Sequence, residues 1–346
     1  MSFLNKNFFI KFFIVDIVFF LVFYFTFIFT FPIKEIAKSN KALINQKTGK
    51  IIKYKDISLG LDLSINIKNL EIITISENVN TSKKKNNKNK AAIKTDKKVQ
   101  KPKTLKLIVK SLSIKPKIMD MILSKRTNID FSAELMDGEI NGNFSVVEDK
   151  KRINKSKKTK NITRRKLEKN EISLSLESID LSKISKYLEL KLPYSGKLTG
   201  DIETVFSTRR GKPVISYLSL ELDMKNGKLG PGKVKAVGSY ATVDQIKLGN
   251  FEIKGKTAKN SSRFKFEPLK IDSSDIEASL DGTITFSRSI MPNLRLKFKF
   301  TEQLLKASRK IKTVASLINN MKRKDGSFGV KLTGTLKHLR QRPWKR

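Results

Sequence analysis

One pattern constrains this chain more than any other: from Leu59 onward, apolar side chains return at every second position, segment after segment. Leu59, Leu61, Leu63, Ile65 and Ile67 alternate with Asp62, Ser64 and Asn66, and the pattern continues through Leu70, Ile72 and Ile73. It resumes at Leu105, Leu107 and Val109, at Leu218, Leu220, Leu222 and Met224, at Phe264 and Phe266, and at Leu294, Leu296, Phe298 and Phe300. A period of two belongs to a strand, whose successive side chains point to opposite faces. The expected fold is therefore mainly β: a repetitive antiparallel sheet, apolar on one face and polar on the other, with a few short helices. Asn226-Gly227, Gly230-Pro231-Gly232 and Asp281-Gly282 supply turn signals between strands.

A small unit recurs within this pattern. Gly138-Glu-Ile140-Asn-Gly142-Asn-Phe144 is echoed by Gly196-Lys-Leu198-Thr-Gly200-Asp-Ile202, and more loosely by Gly282-Thr-Ile284-Thr-Phe286 and Leu332-Thr-Gly334-Thr-Leu336. In each copy the glycine sits where a strand bends or another backbone comes close. The copies read either as repeats of one sheet motif or as ordinary strands that begin after glycine turns.

Helical spacing appears in three places. Ile36, Ala37, Asn40, Leu43 and Ile44 share one side of the stretch 33–47, which Thr48-Gly49 ends. Leu181, Ile184, Tyr187 and Leu188 predict a short helix near 181–189, before Pro193. Residues 302–324 carry Leu304, Leu305, Ile311, Val314, Ala315 and Ile318 on one side, a face expected to pack on the sheet, with Gly326 as the stop.

The N-terminus is of another kind. Sixteen of the twenty residues from Phe12 to Phe31 are Phe, Ile, Val or Leu. Such a run crosses a bilayer core as a helix, with roughly 5–10 kcal/mol of favourable insertion against at most about 3 kcal/mol for Asp16. Pro32 ends it. A cleaved signal would have a shorter apolar core and small residues at its end, so an uncleaved anchor is expected. Lys6 and Lys11 flank one side and Lys34, Lys38, Lys41, Lys47 and Lys50 the other. Counted literally, the positive-inside rule would keep the large C-terminal part in the cytoplasm, but lysine is so common throughout that the rule does not decide orientation.

The net charge is +40, and much of it is concentrated. Thr81 to Lys103 holds ten lysines against Asp96, and Lys150 to Lys166 holds ten Lys/Arg and no acid. Such runs repel themselves and bury nothing, so they read as solvated insertions. They contain no Phe, Tyr or Trp, whereas a single-strand nucleic-acid groove interleaves stacking aromatics with its cations. Abundant Lys, Ile, Asn and Phe together fit a compositional bias better than a nucleic-acid role. The expected organisation is 1–32 cytoplasmic tip and anchor, 33–80 helix and first strands, 81–103 basic insertion, 104–148 sheet, 149–170 basic insertion, and 171–346 main sheet.

Candidates for chemistry are few. There is no cysteine and a single histidine, His338, among basic neighbours near the C-terminus. Gly255-Lys256-Thr257 echoes a phosphate-binding loop, but Asn250 stands where that loop needs glycine, and Phe251 and Ile253 alternate there as in a strand. No metal-ligand spacing and no paired carboxylates can be argued into a site. The chain reads as a non-enzyme with no catalytic, cofactor-binding or metal-binding residues.

Leu174-Ser-Leu176-Glu-Ser-Ile179-Asp180-Leu181-Ser-Lys-Ile184, followed by Leu192-Pro193-Tyr194-Ser-Gly196-Lys-Leu198-Thr-Gly200-Asp201-Ile202, resembles the type II secretion system protein N family. In that family a strand, a D-L-S helix start and a P-x-x-G-x-L-x-G passage follow one another. Leu220-Glu-Leu222, Gly227-Lys-Leu229-Gly230, Ile276-Glu-Ala-Ser-Leu280-Asp-Gly282 and Leu332-Thr-Gly334-Thr-Leu336 continue the order. The basic insertions depart from it, as does Lys337-His338-Leu339, where the family often has a proline. The same grammar resembles AsmA-like envelope proteins.

The resemblance implies a single-pass bacterial inner-membrane protein with a cytoplasmic N-terminus and a periplasmic body. It implies accessory service to type II secretion, with other inner-membrane subunits of that machine and the phospholipid bilayer as partners, and no cofactor. The AsmA-like alternative is a protein that binds or guides lipid along an apolar sheet face. A remote third reading is a membrane-tethered nucleic-acid binder.

Overall fold

The computed structural model describes residues 22, 26, 30–48, 50–76, 103–124, 126–148, 168–209, 212–236, 239–258, 261–287, 289–335 and 338–344. The predicted anchor at Phe12 to Phe31 lies almost wholly outside the described residues, as does most of each basic insertion. Among the described residues no helix is long and apolar enough to cross a membrane, so the anchor rests on the sequence argument alone. The second insertion is shorter than expected, because residues 168–170 already belong to a strand.

The chain is mainly β and divides into two compact units. The first, Met1–Ser58 with Ile67–Val109, holds α1 (Ile33–Thr48), β1 (Lys50–Lys53), most of β2 (Asp56–Leu59) and β3 (Ile65–Ser76), and the first half of β4 (Lys103–Pro116). β1 lies antiparallel on β3, from Lys50 opposite Thr74 to Lys53 opposite Glu71. Lys41 stands 5.3 Å above the Tyr54 ring, and Lys34 pairs with Asp56 at 3.6 Å.

The second unit, Leu59–Asn66 with Lys110–Arg346, is an antiparallel sheet with a helical layer at one end. Its elements after β4 are α2 (Ile118–Ser124), β5 (Thr127–Leu135), β6 (Gly138–Glu148), β7 (Glu168–Asp180), α3 (Leu181–Tyr187), β8 (Tyr194–Arg209) and β9 (Lys212–Leu229). Then come β10 (Gly232–Ala236), β11 (Ser239–Val243), β12 (Ile246–Thr257), β13 (Arg263–Asp272), β14 (Ile276–Phe286) and β15 (Ile290–Phe300). The chain closes with α4 (Glu302–Ala307), α5 (Arg309–Leu317), a 3-10 turn (Asn319–Met321), β16 (Phe328–Thr335) and β17 (His338–Pro343). Sequential strands pair in the order β5-β6-β7-β8-β9-β12-β13-β14-β15-β16-β17, while β10 and β11 form a separate ribbon.

Local sequence explains most of these elements, and three expectations need correction. The alternation from Leu59 to Ile67 is not one strand but a reversal between β2 and β3. Asp62 Oδ1 accepts from the Ser64 amide at 3.2 Å, Gly60 N–H donates to Ser64 O at 2.7 Å, and Leu63 has φ 62°. A short polar side chain that bonds its own backbone two residues on favours a turn over an extended strand.

The expected helix over 302–324 is two helices and a 3-10 turn. Ser308 is extended (φ −124°, ψ 107°), and its Oγ caps α5 by accepting from Ile311 N at 3.1 Å while donating to Asp244 at 2.7 Å. Serine is a better N-cap than helix interior, and the Asp244 carboxylate reinforces the break. The expected apolar face does pack: Leu304, Ile311, Val314 and Ile318 join Val243, Ile246, Ile276, Phe300 and Phe328 in one core cluster.

Asn226-Gly227 and Asp281-Gly282 do not separate strands; they lie inside β9 and β14. The register of β8 on β9 slips by one residue at Asn226 and by another at Ser216, and that of β7 on β8 slips by one at Ser178; Asn226 and Ser178 both have φ 53°. These are bulges, which bend a strand and increase its twist. The repeated glycines serve close approach. Gly200 has φ +139°, and a Cβ there would lie 2.1 Å from Glu221 O; Gly282 has φ +136°, with Asn293 O at 2.3 Å. The helix near 181–189 ends at Tyr187, and α2 has no counterpart in the expected elements.

Candidate functional site

The site is a face of the second unit's sheet. Following the pairing register residue by residue gives one row across ten strands: Phe131, Gly142, Leu174, Ile202, Leu220, Gly255, Phe266, Gly282, Leu294 and Leu332. Every position is apolar or glycine. At about 4.8 Å per strand the row is about 43 Å long. Neighbouring positions on the same face extend it into a strip. Ala133, Ile140, Leu176 and Gly200 run beside one flank, and Ile129, Phe144 and Ile172 beside the other.

The strip has low relief because aromatic rings lie over its glycines. A Cβ at Gly142 would sit 2.5 Å from Phe131 Cζ, and one at Gly255 would sit 2.5 Å from Phe264 Cζ. Phe264 and Phe266 meet edge to face with centroids 4.9 Å apart. This is an aromatic side chain covering the gap that a strand glycine leaves.

At one end of the strands the face is covered. α4, α5 and the β10–β11 ribbon pack on Ile276, Phe300 and Phe328, with Ile311 fully buried. Asp244 fastens this layer: it accepts from Ser308 at 2.7 Å and from Lys310 at 2.8 Å, and these bonds hold its carboxyl below the usual carboxylate range. Away from the layer, Ile202, Leu218, Leu220, Leu222, Ile253 and Leu294 are only half-buried.

The opposite face is polar. Lys254 reaches Glu221 at 2.8 Å and Glu252 at 2.9 Å, which pushes its ammonium pKa well up, and Arg295 reaches Asp281 at 2.7 Å. Lys297 bonds Asp325 at 2.7 Å. Exposed pairs of this kind add little to stability, because solvent screens them. Their effect is to keep this face wet and the other one apolar.

The remaining sequence candidates are dispersed. His338 sits at the start of the exposed strand β17, opposite Thr335. Gly255-Lys256-Thr257 is extended within β12, in keeping with the alternation of Phe251 and Ile253. Among the described residues no group of three or more His, Asp or Glu is gathered as a metal site would need. Period-two alternation had announced an apolar face; only the register showed that ten strands align it into one continuous row.

Comparison of the chain with protein-family models, with curated proteins and with solved structures gives no match. The likeness to type II secretion system protein N and to AsmA-like proteins therefore stands on the order of motifs in the sequence.

Proposed function

We propose that this chain is a non-enzymatic, inner-membrane-anchored envelope protein whose periplasmic sheet binds and guides lipid acyl chains along its apolar face. The observation that carries this reading is the unbroken apolar row from Phe131 to Leu332, half-buried at every position but the buried Gly255, and without a covering layer over its middle among the described residues. Apolar side chains left accessible over so many strands require an apolar occupant, and the N-terminal span would put phospholipid within the protein's surroundings.

The test is site-specific photocrosslinking in membranes, with benzoylphenylalanine introduced into the full chain. At Leu222 or Ile253, on the apolar face, lipid adducts are expected; at Glu221, one residue away on the polar face, they are not. Equal labelling at Glu221, or no lipid adduct at Leu222 and Ile253, rejects the reading.

A second reading is an accessory subunit of type II secretion. It is favoured by the stretch from Leu174 to Ile202, whose family-like order forms the consecutive elements β7, α3 and β8, with Asp180 capping α3 by accepting from Ser182 N at 2.8 Å. Loss of the gene then leaves folded exoproteins in the periplasm behind a tight outer membrane. Under the lipid reading secretion continues and the outer membrane leaks.

A further inference from the structure

The polar face of the second unit's sheet keeps its two signs of charge apart. On β5 to β9, acids stand directly opposite acids on neighbouring strands: Glu134 with Glu139, Glu139 with Glu177, and Asp201 with Glu221. On β12 to β17, cations stand opposite cations: Lys256 with Lys265, Arg295 with Lys331, and Lys331 with Arg342. Like charges directly opposite one another destabilise a sheet. In a chain of 72 Lys and Arg against 32 Asp and Glu, an acidic half-face also runs against composition.

Pairs made within the chain neutralise only part of this charge. Lys110 holds Glu134, Lys254 holds Glu221 and Glu252, and Asp281 holds Arg295. Among the described residues, Glu139, Glu177, Asp201 and Glu203 have no cationic partner, and Lys256, Lys265, Lys331 and Arg342 have no acidic one. All of these but the half-buried Lys331 are exposed. A departure from local pairing rules that the chain itself does not compensate marks a surface shaped for something outside it.

The charge at this surface fits its own copy. The halves meet between β9 and β12, and one register row crosses the boundary: Glu203 opposite Ser219, Ser219 opposite Lys256, and Lys256 opposite Lys265. A two-fold axis parallel to the strands at this boundary sets a second copy face down, with β8 over β13 and β9 over β12. Each acidic half then meets a basic half, and Glu203 meets Lys265 of the second copy once on each side of the axis. An axis running across the strands would set acid on acid, so charge selects the orientation. The face from β5 to β16 measures about 43 Å across the strands and about 17 Å along them. That is about 700 Å² per copy, near the ~800 Å² that each partner contributes to a stable interface.

We propose that the chain forms a two-fold dimer through this polar face, the acidic half of each copy lying on the basic half of the other. Such a dimer leaves both apolar faces outward, so it stands whether or not lipid lies on them.

Sedimentation velocity of the full chain in nonionic detergent, at about 50 mM and about 500 mM salt, tests the dimer. The parent chain is expected to dimerise at low salt, with a dissociation constant at least about tenfold weaker at high salt. Glu203→Lys alone and Lys265→Glu alone each set like charges together at both contacts, and each should weaken the low-salt dimer at least about tenfold. An equimolar mixture of these two variants should recover the parent's association, because a mixed pair joins opposite charges at both contacts. Recovery also shows that both variants are folded.

A parent chain that is monomeric at low salt overturns the dimer. A dimer that both single variants leave intact overturns this face and assigns association to another surface. A mixture no better associated than its two components overturns the pairing of the acidic half with the basic one.

Discussion

If the apolar face is an open surface rather than a closed core, removing side chains from it should cost little stability, and this can be measured. Leu222 sits on that face between Gly200 and Ile253, half-buried, whereas Ile311 in the helical layer is 0% exposed. Truncating each to alanine removes comparable aliphatic bulk. A fully buried methylene contributes about 0.8 kcal/mol, so a fully buried leucine truncation begins near 2 kcal/mol of lost transfer free energy; a half-buried site loses about 1 kcal/mol. No cavity is left at Leu222, because solvent or lipid fills the space. At Ile311 the cavity remains, and the expected loss is about 2–5 kcal/mol. Urea unfolding of the full chain in detergent, followed by circular dichroism, compares the two midpoints at constant slope. Leu222→Ala should shift the midpoint by less than half as much as Ile311→Ala. Equal shifts would refute the reasoning, because they would mean that something covers Leu222 as completely as the helices cover Ile311.

Gly200→Ala should destabilise by at least about 1–3 kcal/mol of backbone strain, and by more because its Cβ meets Glu221 O at 2.1 Å. Gly326→Ala, with φ +79° and nothing within 4 Å, should show strain alone, so equal losses at the two sites in urea unfolding would contradict the close-approach argument. Acid should loosen the helical layer. Lys310 first, and Ser308 with it, hold Asp244 below its unfolded value of about 4, so its stabilisation is complete above that value and fades as pH falls through the lower folded value. Thermal unfolding of Asp244→Asn should depend less on pH below about 4 than that of the parent chain. Some acid sensitivity should persist, because Ser64 with Lys115 depresses Asp62 and Lys297 with Ser327 depresses Asp325.

The sequence alone determined what depends on local periodicity. Alternation at Leu218–Met224 and Leu294–Phe300 fixed strands, because a two-residue period suits only an extended backbone half-covered on one side. The helical spacing of Ile311, Val314 and Ile318 likewise specified a face that packs on the sheet. What depended on partners distant in sequence was decided by the tertiary structure. Asn226-Gly227 and Asp281-Gly282 look like turns in any window of ten residues, yet both lie inside strands, where neighbouring strands make glycine and a bulge the better fit. Ser308 breaks a helix because Asp244, distant in sequence, accepts a hydrogen bond from its hydroxyl. The exposed apolar surface of α2 was hidden for the same reason: Met119, Ile122 and Leu123 stay outward because Asn128, on the next strand, donates to Asp120. Most of all, alternation gives each strand an apolar side but says nothing of alignment. Only hydrogen-bond register, a property of pairs of strands, brings Phe131 and Leu332 onto the same row.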